Sequence, residues 1–176
     1  MILKQLLESW SINDTTAILH WSTYSLAGRE TFELRNEEVN RARAFYRVLV
    51  SLEKQALDLE SIQINSQLTC FSYICERWNI DYQQTARGLI FSWLGNLVLA
   101  AIKIIPSGQT DGQKAIFELL SRIINLVAEA DAVADDDIGA SSMALAIASA
   151  QHESQYSRLF RSAEKIWQIS SLCDSV

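Results

Sequence analysis

Apolar residues recur along most of this chain at the three-to-four-residue spacing of a helix face, and strict alternation of the strand kind is rare. The clearest case is "ETFELRNEEVNRARAFYRVLVSLEKQALDLE", which predicts a helix from Glu30 to Glu60. Leu34, Val39, Ala42, Phe45, Leu49 and Leu52 form its inward stripe, with Arg35, Glu38, Arg41 and Arg43 largely on the other side. Gly28 marks a break just upstream. Earlier helices are predicted from about Ile2 to Trp10 and from Thr15 to Leu26, with Asn13-Asp14 as the capping candidate between them.

A short helix is predicted through "LTCFSYICERW", followed by "DYQQTARGLIFSWLGNLVLAAIKIIPSGQ", the most apolar part of the chain. From Leu89 to Ile105 only Ser92, Gly95, Asn96 and Lys103 interrupt the hydrophobic residues. This run is shorter than the ~20 residues of a membrane span, and it carries Gly-Asn and Lys inside it. The expectation is a central helix buried on nearly all sides and ended by Pro106 and Gly108. The next helix lies in "QTDGQKAIFELLSRIINLVAEADAVA", with Ile116, Leu119, Leu120, Ile123, Ile124 and Val127 facing inward. Asp135-Asp136-Asp137 then precede "IGASSMALAIASAQ", whose small residues permit close helix packing. Proline occurs once, and no internal repeat breaks the pattern. The prediction is an all-α, single-domain helical bundle spanning residues 1–176, with 163–176 as a C-terminal tail.

Composition narrows the function classes. The chain has 15 basic and 21 acidic residues, a net of −6, without the basic stripe that phosphate backbones require. "MILKQLLESW" has acidic Glu8 and no small-residue cleavage site, and does not resemble a signal peptide. Cys70, Cys75 and Cys173 are odd in number and follow no disulfide framework, so reduced thiols are expected. Cys70 and Cys75 stand five apart, on diverging sides of a helix, and make a poor zinc half-site.

Chemistry-bearing residues concentrate in "AQHESQYSRLFRS", Ala150 to Ser162. Neighbours on a helix point about 100° apart, so Glu153 is badly placed to orient His152 as a catalytic dyad, and a capping or hydrogen-bonded histidine is the simpler account. Arg158 and Arg161 lie three apart and project from one face, with Leu159 and Phe160 turned to apolar surroundings. Tyrosine, phenylalanine and arginine together are the residue types of protein interfaces. His20, beside Trp21, reads as packing or a solvated ring. The three aspartates lack EF-hand spacing and read as solvated charges ahead of a helix. "GQTDGQK" lacks the Gly-x-x-x-x-Gly-Lys-Ser/Thr order of a nucleotide cradle. Lys103 fits a snorkelling side chain or a charged contact on a partner-facing surface.

Two long motifs, "FSWLGNLVLAAIKIIPSGQTDGQ" and "DDDIGASSMALAIASAQHESQYSRLFRS", together with "GRETFELRNEE", strongly resemble the urease accessory protein UreF family from about residue 20 to Ser162. That resemblance implies an all-α, cytoplasmic, non-enzymatic protein. It implies a complex with UreD (UreH) and the GTPase UreG that docks on apo-urease for nickel delivery, and a possible homodimer. No resident cofactor or metal is expected, with nickel handled transiently by the assembled complex, and no nucleic acid or membrane as partner. Family members carry a further N-terminal segment, roughly "GxFSxSxGLE", so the chain reads as an N-terminally shortened member. Leu94-Gly95-Asn96-Leu97 stands where the family has Leu-Glu-Asn-Gln, Met143 where it has proline and Ser107 where it has leucine.

The partner-binding residues the resemblance suggests fall into two groups. Lys103, Gln109, Gly112 and Gln113 surround the central turn. His152, Glu153, Gln155, Tyr156, Arg158 and Arg161 lie near the C-terminus. Amides and arginines supply directional hydrogen bonds, Tyr156 supplies buried area, and Gly112 allows close backbone approach. Residues alone leave other readings open: a helical enzyme built on His152 and Glu153, an interaction adaptor unrelated to urease, or a truncated homologue that no longer activates urease.

Overall fold

The structure, a computed structural model, describes residues 1–52, 65–105, 108–134, 137–138 and 142–156. Among the described residues there are seven helices and no strand, as the apolar periodicity predicts. They are α1 (Ile2–Ser11), α2 (Thr15–Ala27), α3 (Phe32–Leu52), α4 (Gln67–Arg77), α5 (Tyr82–Ile104), α6 (Gln109–Asp131) and α7 (Met143–Glu153).

Helices α1 to α4 form the body. Leu3, Leu6, Leu7 and Trp10 recur on one face of α1 and are buried together against α4 and α2. Ile18 of α2, Ala42 and Leu49 of α3, and Cys70, Ile74 and Cys75 of α4 complete this core. The Trp10 indole needs a polar partner when buried, and Nε1 donates to Ser72 Oγ at 3.0 Å. Both cysteines face inward because α4 lies between α1 and α3, each of which covers one flank. Neither forms a disulfide. Burial pushes the Cys70 thiol up to about 12, with the Glu38 charge adding to the effect, and raises Cys75 as well.

The connections show why the helices stop where they do. Asn13 and Asn79 both have φ of 54°, the left-handed conformation that asparagine tolerates better than most residues. Each sits just past a helix end, and the next amide reaches back, Asp14 N to Ser9 O at 2.9 Å and Ile80 N to Cys75 O at 2.8 Å. Asp14 then caps α2 by accepting from Ala17 N at 3.0 Å, and Asp81 caps α5 by accepting from Gln84 N at 2.9 Å.

Helix α5 leaves the body and folds back as α6, forming an antiparallel hairpin. Only the foot of α5 packs on α1 and α4, and α6 packs chiefly on α5. Gly112 lets α6 pack tightly on α5: a Cβ there would stand 2.4 Å from Ile102 Cδ1 and 3.0 Å from Val98 Cγ1. Ile116, Ile123 and Val127 fill the rest of the seam. At the foot, Gln83 Nε2 donates to Asp131 Oδ2 at 2.6 Å. Burial, followed by the hydrogen bond and charge of Asp131, pushes the Tyr82 hydroxyl up to about 12.

Several expectations are corrected here. Helix α5 is not buried on nearly all sides: only Thr85 and Ala86 are buried, because α6 covers one face and the body reaches no further than the foot. Counted from Tyr82 the helix has 23 residues, not the shorter apolar run alone, and is long and apolar enough to cross a membrane. Leu120 and Ile124 of α6 are exposed, since α6 has one packing neighbour and needs only a narrow inward stripe. Glu38 is buried and Leu52 exposed, the reverse of their predicted faces. Of the small residues of α7 only Ser149 is buried, in the contact with α3, and the Ser142 side chain caps that helix. The predicted continuation of α3 to Glu60, Pro106, Asp135, Asp136 and Cys173 lie outside the described residues.

Candidate functional site

The C-terminal cluster is built where the end of α7 meets the start of α3. Helix α7 packs on α3 through its last two turns, where Ser149, His152 and Glu153 stand at the three-to-four-residue spacing of one face. The Ser149 and Thr31 hydroxyls share a buried hydrogen bond of 2.7 Å, and Thr31 Oγ1 accepts from Leu34 N at 3.2 Å. Glu153 Oε1 accepts from the backbone N–H of Glu33 at 2.7 Å, satisfying an amide that the first turn of α3 leaves without a helical partner. His152 Nδ1 lies 2.7 Å from Glu33 Oε2. A carboxylate only accepts, so Nδ1 holds the proton of this pair.

Glu153 therefore does not orient His152, as their angular separation predicts; Glu33, remote in sequence, does. Gln155 is exposed, and Tyr156 is 107% exposed, a large amphipathic side chain held wholly in solvent. Arg158 and Arg161 lie outside the described residues. Tyr24 of α2 steadies the approach to α7, its hydroxyl donating to Ile138 O at 2.9 Å.

The turn cluster occupies the free end of the hairpin. Lys103, in the last turn of α5, is exposed, as are Gln109 and Gln113 in the first turns of α6. Gly112 is buried, and the backbone approach it permits is between α5 and α6 of this same chain. Lys114 pairs loosely with Asp111 at 3.7 Å, an exposed contact of little energetic weight.

Two features escape a reading of the sequence. The first is Glu38, a buried carboxylate that accepts from Arg29 Nη2 at 3.2 Å, Ser66 Oγ at 3.1 Å and Gln67 N at 2.9 Å. It joins the α2–α3 corner to the start of α4, whose positive end favours it. The second is the set of apolar side chains left uncovered on more than one side of the hairpin: Phe91 and Phe117 line one recess, Trp93 and Leu97 line another, and these with Leu99 and Ile124 are each about half exposed or more. The strongly apolar second half of α5 is the sequence signal for it, since a helix apolar on nearly all sides needs neighbours on each of them and α5 packs chiefly on α6. A groove of about 430 Å³ runs between α3, α5 and α7, with Arg29, Glu37 and Arg41 on one side and Trp93, Asn96 and Leu145 on the other. Asn96 and Leu97 of the diverged Leu94-Gly95-Asn96-Leu97 stretch both line it. Gly95 itself has open space where a Cβ would be.

A sequence model of UreF matches residues 1–120. The chain belongs to the UreF family of urease accessory proteins. It is 41% identical to the urease accessory protein UreF of Alcanivorax borkumensis over 168 residues, covering 92% of this chain and 73% of that protein. The UreF proteins of Citrobacter koseri, at 41% over 162 residues, and Hahella chejuensis, at 37% over 161 residues, cover 92% of this chain and 72% of their own length each. The match reaches back to the first residue, ahead of the start near residue 20 suggested by the motifs. All of the body, α5 and the first half of α6 therefore lie within the UreF match, and the function is that of a urease accessory protein.

Proposed function

We propose that this UreF-family chain is a non-catalytic scaffold that holds UreD (UreH) and the GTPase UreG together on apo-urease while nickel is inserted. It works in the cytoplasm, with neither membrane nor nucleic acid as a partner, and as a homodimer. Nickel is cargo of the assembled complex and passes without a resident site or cofactor in this chain. The observation that carries the reading is the uncovered apolar surface of the hairpin, on more than one side of it: aromatic and aliphatic side chains of this size, left in solvent on a folded helix pair, are the residue types found at the core of protein interfaces. A bilayer is the less apt cover, because α5 is held in an antiparallel pair and carries Arg87, Asn96 and Lys103.

Two polar groups supplement that surface. Lys103, Gln109 and Gln113 present charge and amides at the hairpin end, with Gly112 setting the spacing beneath them. Gln155, Tyr156, Arg158 and Arg161 form the second group, supported by His152 and Glu153. The test is urease activation in a strain lacking its own UreF and complemented by this 176-residue chain, with co-purification of UreD and UreG scored alongside. Activation with both partners retained is the expected result. A folded protein that captures neither partner and restores no urease activity overturns the proposal. Calorimetric titration with nickel gives a separate check, with no tight one-to-one binding by the isolated chain as the expected result.

A further inference from the structure

Helix α7 is joined to the body by polar bonds far more than by apolar burial. Met143, Leu145 and Ile147 are all more than half exposed, and the one buried residue of the helix is a serine. What fixes its end is a set of hydrogen bonds gathered at the first turn of α3, and Glu33 takes part in two of them. Its backbone N–H binds Glu153, and its carboxylate binds His152. Both bonds involve a carboxylate oxygen, the stronger kind of hydrogen bond, and the Glu33 side chain is about three-quarters buried.

We infer that Glu33 is the positioning residue for the stretch from His152 to Tyr156. Its backbone and side chain together clasp the end of α7, fixing where the chain emerges and how Gln155 and Tyr156 are offered. His152 and Glu153 are then parts of the clasp, turned inward, and the partner reads the residues beyond them. The role of the clasp in partner capture rests on the scaffold proposal above; the clasp itself does not. Because apolar burial contributes little to α7, loss of the clasp releases that helix without opening the core of α1 and α4.

Hydrogen exchange on the full chain tests this directly. Glu33→Ala and His152→Ala are each expected to speed exchange at the α7 amides about ten- to a hundredfold, leaving α1 and α4 amides unchanged. The double variant is expected to be no faster than either single one, because both remove the same bond. Glu33→Gln, which restores an acceptor without its charge, is expected to recover part of the protection. A mere weakening of the first turn of α3 would follow Glu33→Ala but not His152→Ala, and that pattern overturns the inference. So does unchanged α7 exchange in both variants, or equal acceleration in α1 and α4. UreD capture is measured on the same samples. If the wild-type chain fails to capture UreD while the exchange pattern holds, the scaffold proposal fails and the clasp stands.

Discussion

Leu6 in α1 is completely buried, whereas Phe117 in α6, a larger apolar residue, is 77% exposed. The two stand for the regions around them. In the body, each of α1 to α4 has at least two helical neighbours, and its apolar stripe is covered by them. In the hairpin, α5 and α6 cover one face of each other, and their remaining apolar residues meet solvent. The hairpin is the more apolar of the two in sequence and the less buried in structure. Apolar content thus states how much surface a helix needs covered, and the difference between need and cover locates a binding surface.

The largest consequence lies in the body. Leu6→Ala is expected to cost about 2–5 kcal/mol, the range for emptying a well-packed core site, seen as a lower urea midpoint. Alkaline pH probes the same core. Cys70 ionises at about 12 in the folded chain against an ordinary value of 9.0. The unfolded chain therefore sheds this proton first, and stability, fully present below pH 9.0, is expected to fall as pH rises from there toward 12. Cys70→Ser should flatten that loss in a pH series of denaturant midpoints.

Within the hairpin, two glycines separate packing from composition. Gly112→Leu drives a side chain into Ile102 and Val98 and is expected to cost about 1–3 kcal/mol, with the loss confined to α5–α6 exchange. Gly95→Ala meets open space and is expected to gain up to about 1 kcal/mol from helix propensity, read as a higher thermal midpoint. The smallest change in stability is predicted for Phe117→Ser, within about 0.5 kcal/mol, because little burial is lost. Its effect should appear in co-purification, as reduced retention of UreD or of a second copy of the chain. Full retention with unchanged stability would remove Phe117 from the proposed interface.

Much of the fold is legible in the sequence. The four apolar residues of α1, the Asp14 cap and the inward Ile116, Ile123 and Val127 of α6 all follow from local spacing. The candidate site is less so. The pairing of His152 with Glu33 spans 119 positions, and neither residue carries a local mark of the other. Glu38 reads as a surface residue in its helix, yet it is buried because Arg29, Ser66 and Gln67 converge on it from other elements. The cover on α5 is not legible for the opposite reason: an apolar run is equally compatible with a core helix and with a helix that leaves apolar faces uncovered.

By itself, the sequence determined the helical class, the places where most helices begin and end, and membership of the UreF family, since all three rest on local spacing, capping and extended motif identity. Tertiary structure alone decided which apolar faces are covered, which carboxylates are buried, and what holds the end of α7. Those outcomes depend on how many neighbours each helix has and on which distant side chains meet there, and no local pattern of residues encodes either.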